Sequence, residues 1–221
     1  ILINDYKTTS YIIDDTYQCA GEYSFTINTY GPTGMETDSP VTITGISGEA
    51  SEMERVTLTI DMLSDNANHV GDGGGLPALI DGKVNTYYHT KWNAPVTTEA
   101  HYVQIKLNKP LKDLCFEYDA RQSGVNNGGD VKAATIYGSM NGEFFESMGN
   151  EEFNLPTTNG GHATAKNNVS GKQAYNYIRF TPTARRDKDP LDYTVAGSAW
   201  WNMSEIYLYR IRHDEAWARE Q

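Results

Sequence analysis

Short runs that alternate apolar and polar residues recur along most of the chain, each closed by a glycine, proline or asparagine turn. His101-Tyr-Val-Gln-Ile-Lys-Leu107 puts Val103, Ile105 and Leu107 on one side of an extended strand. Residues 21–30 do the same with Tyr23, Phe25, Ile27 and Thr29. Residues 10–13, 41–46, 56–60, 114–118, 133–137, 175–180 and 204–209 read as further strands. The turns between them fall at 31–34, 81–82, 108–110 and 138–142, and 150–172 reads as a long polar loop. Almost nothing carries a helical period. A chain patterned in this way folds as an all-β sandwich or jelly roll.

The pattern divides near residue 50. Residues 1–50 hold a few strands whose order resembles the end of an immunoglobulin-like or fibronectin type III module. They are too few for a free sandwich, so this part is expected to be a partial β segment with a spacer role. Residues 47–54, small, polar and acidic, serve as a linker. Residues 51–221 form the second unit and end in a short charged tail. The chain starts with Ile1 and shows no signal peptide, which suggests a mature or trimmed fragment of a larger multidomain chain.

Charge and cysteine content exclude several classes. The formal net charge is −11, from 29 acidic and 18 basic residues, so the surface repels nucleic acid and anionic lipid. No stretch reaches the roughly 18 consecutive apolar residues of a membrane span. The two cysteines, Cys19 and Cys115, fall in different units, so a disulfide framework does not hold the fold. Cys115, inside an apolar strand, reads as a small core residue. The glycine cluster at 71–75 lacks the Lys-Ser/Thr of a phosphate loop and reads as a flexible loop. No metalloprotease, serine-hydrolase or cysteine-hydrolase signature is present.

Chemistry gathers in Pro77-Ala-Leu-Ile-Asp-Gly-Lys-Val-Asn-Thr-Tyr-Tyr-His-Thr-Lys-Trp92. Asp81-Gly82 is a tight turn, and Asp81, Asn85 and Thr86 carry the oxygens that a hard cation prefers. Seven motifs in order then resemble the discoidin superfamily, the coagulation factor V/VIII type C domain, and most of all the galactose-binding members of family 32 carbohydrate-binding modules. They are Ala78-Leu-Ile-Asp-Gly82, Thr86-Tyr-Tyr-His-Thr90, Val103-Gln-Ile-Lys-Leu107, Tyr118-Asp-Ala-Arg-Gln122, Ile136-Tyr-Gly-Ser-Met-Asn-Gly142, Tyr177-Ile-Arg-Phe180 and Ser204-Glu-Ile-Tyr-Leu-Tyr209. The likeness covers roughly residues 56–210. It departs at Tyr88, where many relatives have Trp.

The resemblance implies a discoidin-like jelly-roll β-sandwich and one structural Ca²⁺. Its ligands would be the side chains of Asp81 and Glu205, Thr86 by hydroxyl or carbonyl, and main-chain carbonyls near Ala78, Lys83 and Ser204. It also implies a sugar pocket of His89, Arg121 and Asn127 or its neighbour Asn126. A loop aromatic completes the pocket, from Trp200, Trp201, Tyr193 or Trp92. Arg offers a planar fork of donors, neutral His a donor and an acceptor, and Asn both. Plainer readings stand beside these. Arg121 could pair with Asp119 or Asp130, one of Trp200 and Trp201 faces the core, and the charged run 185–189 is a solvated loop. The function implied is a non-catalytic glycan-binding module of a bacterial surface or secreted protein. The alternatives are an adhesion or protein- or lipid-binding discoidin domain, or an accessory domain of a glycoside hydrolase.

Overall fold

The computed structural model describes residues 21–27, 41–47, 52–93 and 99–212, with side chains from Met53 onward. Its contacts divide the chain into two compact units, residues 1–52 with 212–221, and residues 53–211. In the first, β1 (Gly21–Ile27) pairs antiparallel with β2 (Val41–Ser47) without a slip, from Gly21↔Ser47 to Ile27↔Val41. The strand expected at 10–13, the turn at 31–34 and the charged tail lie outside the described residues.

The second unit is a β-sandwich. Its strands are β3 (Glu52–Arg55), β4 (Leu63–Asp65), β5 (Tyr88–His89), β6 (Val103–Asp119), β7 (Val131–Ser139), β8 (Glu146–Asn154), β9 (His162–Ala165), β10 (Val169–Arg185), β11 (Asn202–Met203) and β12 (Glu205–Arg212). The main sheet runs β10-β7-β8-β9-β6-β12-β3, and β10 pairs back onto β6, so the sheet folds over on itself. Two 17-residue strands, β6 and β10, make that possible. The start of β6 pairs with β4 and with Tyr177–Phe180 of β10, and its end pairs with β12 and β9.

Three expectations about these elements are corrected. Residues 108–110 do not end a strand. They are exposed and fall between the register pairs Lys106↔Tyr177 and Leu111↔Tyr175, so the ladder asks no N–H of Pro110 and β6 continues through it. The strand expected at 56–60 lies earlier, at β3, inside the acidic linker. An edge strand tolerates charge, and Val56 N–H still donates to the Leu208 carbonyl at 2.8 Å. Residues 150–172 are no loop, since they hold most of β8, all of β9 and the start of β10.

Alternation fills the interior. Val103 and Ile105, then Leu114 and Phe116, Ile136, Ile178, Phe180 and Leu208 are all fully buried. Phe116 packs on Phe180 with ring centroids 5.0 Å apart, and Tyr118 meets Phe153 edge-on at 5.4 Å. Cys115 is buried beside them, its thiol pushed up to about 12 by loss of water.

One inward position of β8 is charged by composition. Glu151 is fully buried, and its Oε1 accepts the Phe116 N–H at 2.7 Å. Burial outweighs that hydrogen bond and pushes its carboxyl up to about 9. The folded state therefore keeps a proton that the unfolded chain releases above about pH 4.5, so stability falls as pH rises from there toward 9. Glu151→Gln is neutral throughout and still offers a carbonyl to Phe116. It should unfold in urea like the wild type at pH 4.5 but be about 3–5 kcal/mol more stable at pH 8.5. Two parallel stability-against-pH curves would contradict this.

Candidate functional site

At one end of the sandwich a small ladder holds the chemistry. β5 and β11 pair as Asn202↔His89 and Met203↔Tyr88, and Asn68 bridges to Thr90. His69 N–H donates to the His89 carbonyl, Thr90 N–H to the Trp201 carbonyl, and Trp201 N–H to the Thr90 hydroxyl. Side chains alternate across this ladder. Tyr88 and Trp201 turn inward with no exposure and meet at 5.3 Å, while His89 and Trp200 stack on the other side at 5.3 Å and 26°.

His89 is buried, and its Nδ1 lies 2.6 Å from the Thr90 carbonyl. A carbonyl only accepts, so Nδ1 carries the proton and Nε2 is left as the acceptor of the neutral ring. Burial pulls its pKa below the usual histidine value, with Arg121 and His69 acting the same way. The Thr90 hydrogen bond and Asp72 only partly offset them.

Arg121 follows the end of β6 and lays its guanidinium 3.6 Å over the Tyr87 ring. The acids it could have paired with are engaged elsewhere. Asp119 takes His162 at 2.7 Å and the Tyr207 hydroxyl at 2.6 Å, and Asp130 takes Arg186. Tyr87 in turn donates its hydroxyl to Asp72 Oδ1 at 2.7 Å, and Trp92 Nε1 donates to Asp72 Oδ2 at 2.9 Å. Trp92 lies flat on His69, 5.2 Å between centroids at 2°, and keeps 46% of its surface open. The hydrogen bonds hold the Asp72 carboxyl below the usual carboxylate range, the Tyr87 bond most of all.

The remaining expected residues separate. Asn127 is committed to the scaffold: its Nδ2 donates to Asn202 Oδ1 at 2.9 Å and its Oδ1 accepts Gly129 N–H at 3.0 Å. Asn126 is exposed at the loop tip with φ 58°. Gly129 stands against β11 so closely that a Cβ would lie 2.1 Å from Asn202 Nδ2. Trp200 carries both His89 and the Arg185 guanidinium, 3.9 Å away, against its ring. Two expected aromatics belong elsewhere. Trp201 is core, because the pleat turns it from Trp200. Tyr193 packs edge-on against His101 and donates its hydroxyl to the Pro182 carbonyl. The charged run is corrected too: Arg185 is only 7% exposed and donates to the Ser198 and Trp200 carbonyls. Sequence reasoning missed His69, Asp72, Tyr87 and Asn202. The signal for Asp72 was its place in the glycine cluster, where Gly74 N–H donates to the Tyr87 carbonyl at 2.8 Å.

The expected metal ligands lie just beyond. Glu205 is buried, and its Oε1 accepts the N–H groups of Gly82 at 2.7 Å and Lys83 at 3.0 Å. Burial raises its pKa, the two N–H donors pull it down, and the neighbouring Asp81 carboxylate raises it again. The Thr86 hydroxyl sits 2.9 Å from both Asp81 oxygens and from the Lys83 carbonyl, while Ser204 Oγ donates to the Val84 carbonyl. Ala78 is buried in the short 3₁₀ turn Leu76–Leu79. Two carboxylates thus face one turn amid neutral oxygens, a donor set that fits a hard cation. Among the described residues no three His, Cys, Asp or Glu side chains gather as a metal cluster.

The family profile for the F5/8 type C domain matches residues 64–205. No curated protein matches the chain. Among solved structures it is similar to the CpGH89CBM32-5 module from Clostridium perfringens, solved in complex with GalNAc-β-1,3-galactose. That likeness is at 21% identity and TM-score 0.43, over 66% of this chain and 92% of that one. It is also similar to CBM32-3 from a family 31 glycoside hydrolase of Clostridium perfringens, at 18% and 0.47 over 71% and 94%. A third is the C-terminal domain of a chitobiase from Bacteroides fragilis, at 17% and 0.47 over 72% and 100%.

Because Glu205 receives two main-chain donors from a loop over 120 residues away, Glu205→Ala leaves the Gly82 N–H without its acceptor and the Lys83 N–H with only its 3.0 Å bond to Asp81 Oδ1. In chelator the variant should lose about 2–4 kcal/mol of unfolding free energy. A loss under about 0.5 kcal/mol in urea titration would show that the loop is held by other means.

Proposed function

The chain belongs to the F5/8 type C domain family, and on that footing we propose that it is a non-catalytic carbohydrate-binding module for galactose-type glycan termini. The observation that carries the reading is the arrangement of Arg121 over Tyr87, beside a neutral His89 and the open face of Trp92. With one face on Tyr87, the guanidinium keeps its N–H edge for two adjacent sugar hydroxyls. His89 Nε2 accepts from a third. The Trp92 ring takes the apolar C–H side of the pyranose, and the position of an axial hydroxyl then decides the fit. Asn127 retains one amide N–H beyond its bond to Asn202, and Asn126 lies at the same loop tip.

Binding rather than hydrolysis is favoured by the state of Asp72. Both its oxygens accept hydrogen bonds, whereas glycoside hydrolysis uses a pair of carboxyl groups about 5–10 Å apart with one free to give a proton. We place the module on a bacterial surface or secreted protein, as one part of a larger chain. Among the described residues no helix is long and apolar enough to cross a membrane, and the charge of −11 disfavours anionic lipid as the ligand. Asp81 and Glu205, with Thr86 and carbonyls of Ala78, Lys83 and Ser204, would hold one structural Ca²⁺. Bound there, the ion would supply cross-linking between the 81–86 turn and the last strand.

Calorimetry with galactose-type sugars should give a Kd of about millimolar to tens of micromolar, and Arg121→Ala should weaken it at least about tenfold. Affinity should stay flat from pH 8 to about pH 6.5 and fall only below it, as the depressed His89 finally takes a proton. Silence across a glycan array, or an Arg121→Ala variant equal to wild type, ends this reading. Separately, millimolar Ca²⁺ should raise the melting temperature by several degrees, by about the linkage expected for saturation, and Asp81→Asn should remove the shift. An equal shift in the variant would place the ion elsewhere.

A further inference from the structure

The carboxylate of Asp72 joins two rings of this site. Its two oxygens hold the two aromatic rings that differ most in role: Tyr87, which lies under Arg121, and Trp92, which is open to solvent. The glycines around it are fitted to that task. Gly73 has φ 92°, and a Cβ there would stand 2.5 Å from the Tyr87 carbonyl, so the segment can lie against Tyr87 only without a side chain. Gly74 N–H donates to the same carbonyl. The glycine cluster is thus the wall that carries Asp72 to the rings. Its negative charge also sits among Arg121 and His89, close enough to act on both.

Resting on the glycan reading above, we infer that Asp72 is the positioning and specificity-determining residue of the site. It sets Tyr87 and Trp92 in register with Arg121, and its charge balances the guanidinium so that neutral sugars are taken over sugars bearing a carboxylate. Beside Tyr87 the site sets one cation, Arg121, against one anion, Asp72, with His89 neutral next to them. An incoming carboxylate would gain Arg121 and meet Asp72. Asparagine removes the charge, and with one acceptor oxygen it exchanges two charge-assisted bonds for weaker neutral ones, holding the indole only by turning its amide N–H to the phenol oxygen.

The experiment compares wild type with Asp72→Asn in two readouts. The first is the affinity for galactose and for galacturonate, the same ring with a carboxylate. The second is the indole N–H region of a nitrogen-15 correlation spectrum. The chain has four tryptophans, and Trp92→Phe assigns the peak of interest. The unchanged remainder of the spectrum certifies the fold. Wild type should prefer galactose by about tenfold or more. Asp72→Asn should lose about tenfold on galactose, bring the two sugars within about threefold, and shift the Trp92 indole peak with faster solvent exchange. An unmoved indole peak overturns the positioning role, and an unchanged galactose-to-galacturonate ratio overturns the selection by charge. Should wild type bind neither sugar while the indole peak moves as expected, the glycan reading fails and the hold of Asp72 on Trp92 stands.

Discussion

The hydrogen bonds from Gly82 and Lys83 to Glu205 connect positions 123 and 122 residues apart, and the geometry of the candidate site depends on them. The carboxylate is buried at the first residue of β12, next to β11, and the loop it captures runs directly into β5. Fixing that loop brings β5 beside β11, and the pairing of β5 with β11 places His89 against Trp200 and opposite Asn202. A charged acceptor holding two main-chain donors is stronger than a neutral one. The cost falls on the carboxylate side: Glu205 is buried, whereas Gly82 and Lys83 lie on an exposed turn. Order in the loop therefore propagates to the aromatic and basic side chains without a continuous sheet between them.

Elsewhere in the unit, two arginines are held by rings instead of by acids. Arg121 lies on Tyr87 and Arg179 between Tyr102 and Phe145, whereas Arg185 lies on Trp200 and also pairs with Asp187. A guanidinium is weakly hydrated and planar, so it stacks with little loss and still presents its edge donors. In a chain with 29 acidic residues this keeps selected cations from collapsing into ordinary ion pairs. Asp130 shows the contrast. It takes Arg186 in a nearly dry salt bridge, and Arg186 spends its other contact on the Pro156 carbonyl, so that pair is scaffold.

Much of the fold was legible because period-two alternation survives in β6, β7, β10 and β12, where Val103, Ile136, Phe180 and Leu208 all point inward. The expected strands failed where charge interrupted the pattern, once buried and once on an exposed edge. Glu151 made β8 look like loop, and the charges of residues 52–55 hid an edge strand. At the site, His89 and Arg121 could be found from ordered motifs, and the split between Trp200 and Trp201 follows from the pleat. Asp72 carried only the glycine cluster as a signal, which suggests looseness, and its partners Tyr87 and Trp92 are 15 and 20 residues away. Arg185 was misread for the same reason: the ring that holds it is 15 residues downstream. Pairings that cross loops leave no local spacing to read.

The strand that brings the chain into the second unit, β3, is the sheet neighbour of β12, the strand that takes it out. All the segments that shape the candidate site, from Asn68 to Glu205, lie between those two crossings. A cassette with its entrance and exit side by side has one doorway. Such a unit can be set into another chain at that one place, leaving the loops of the far end as they are.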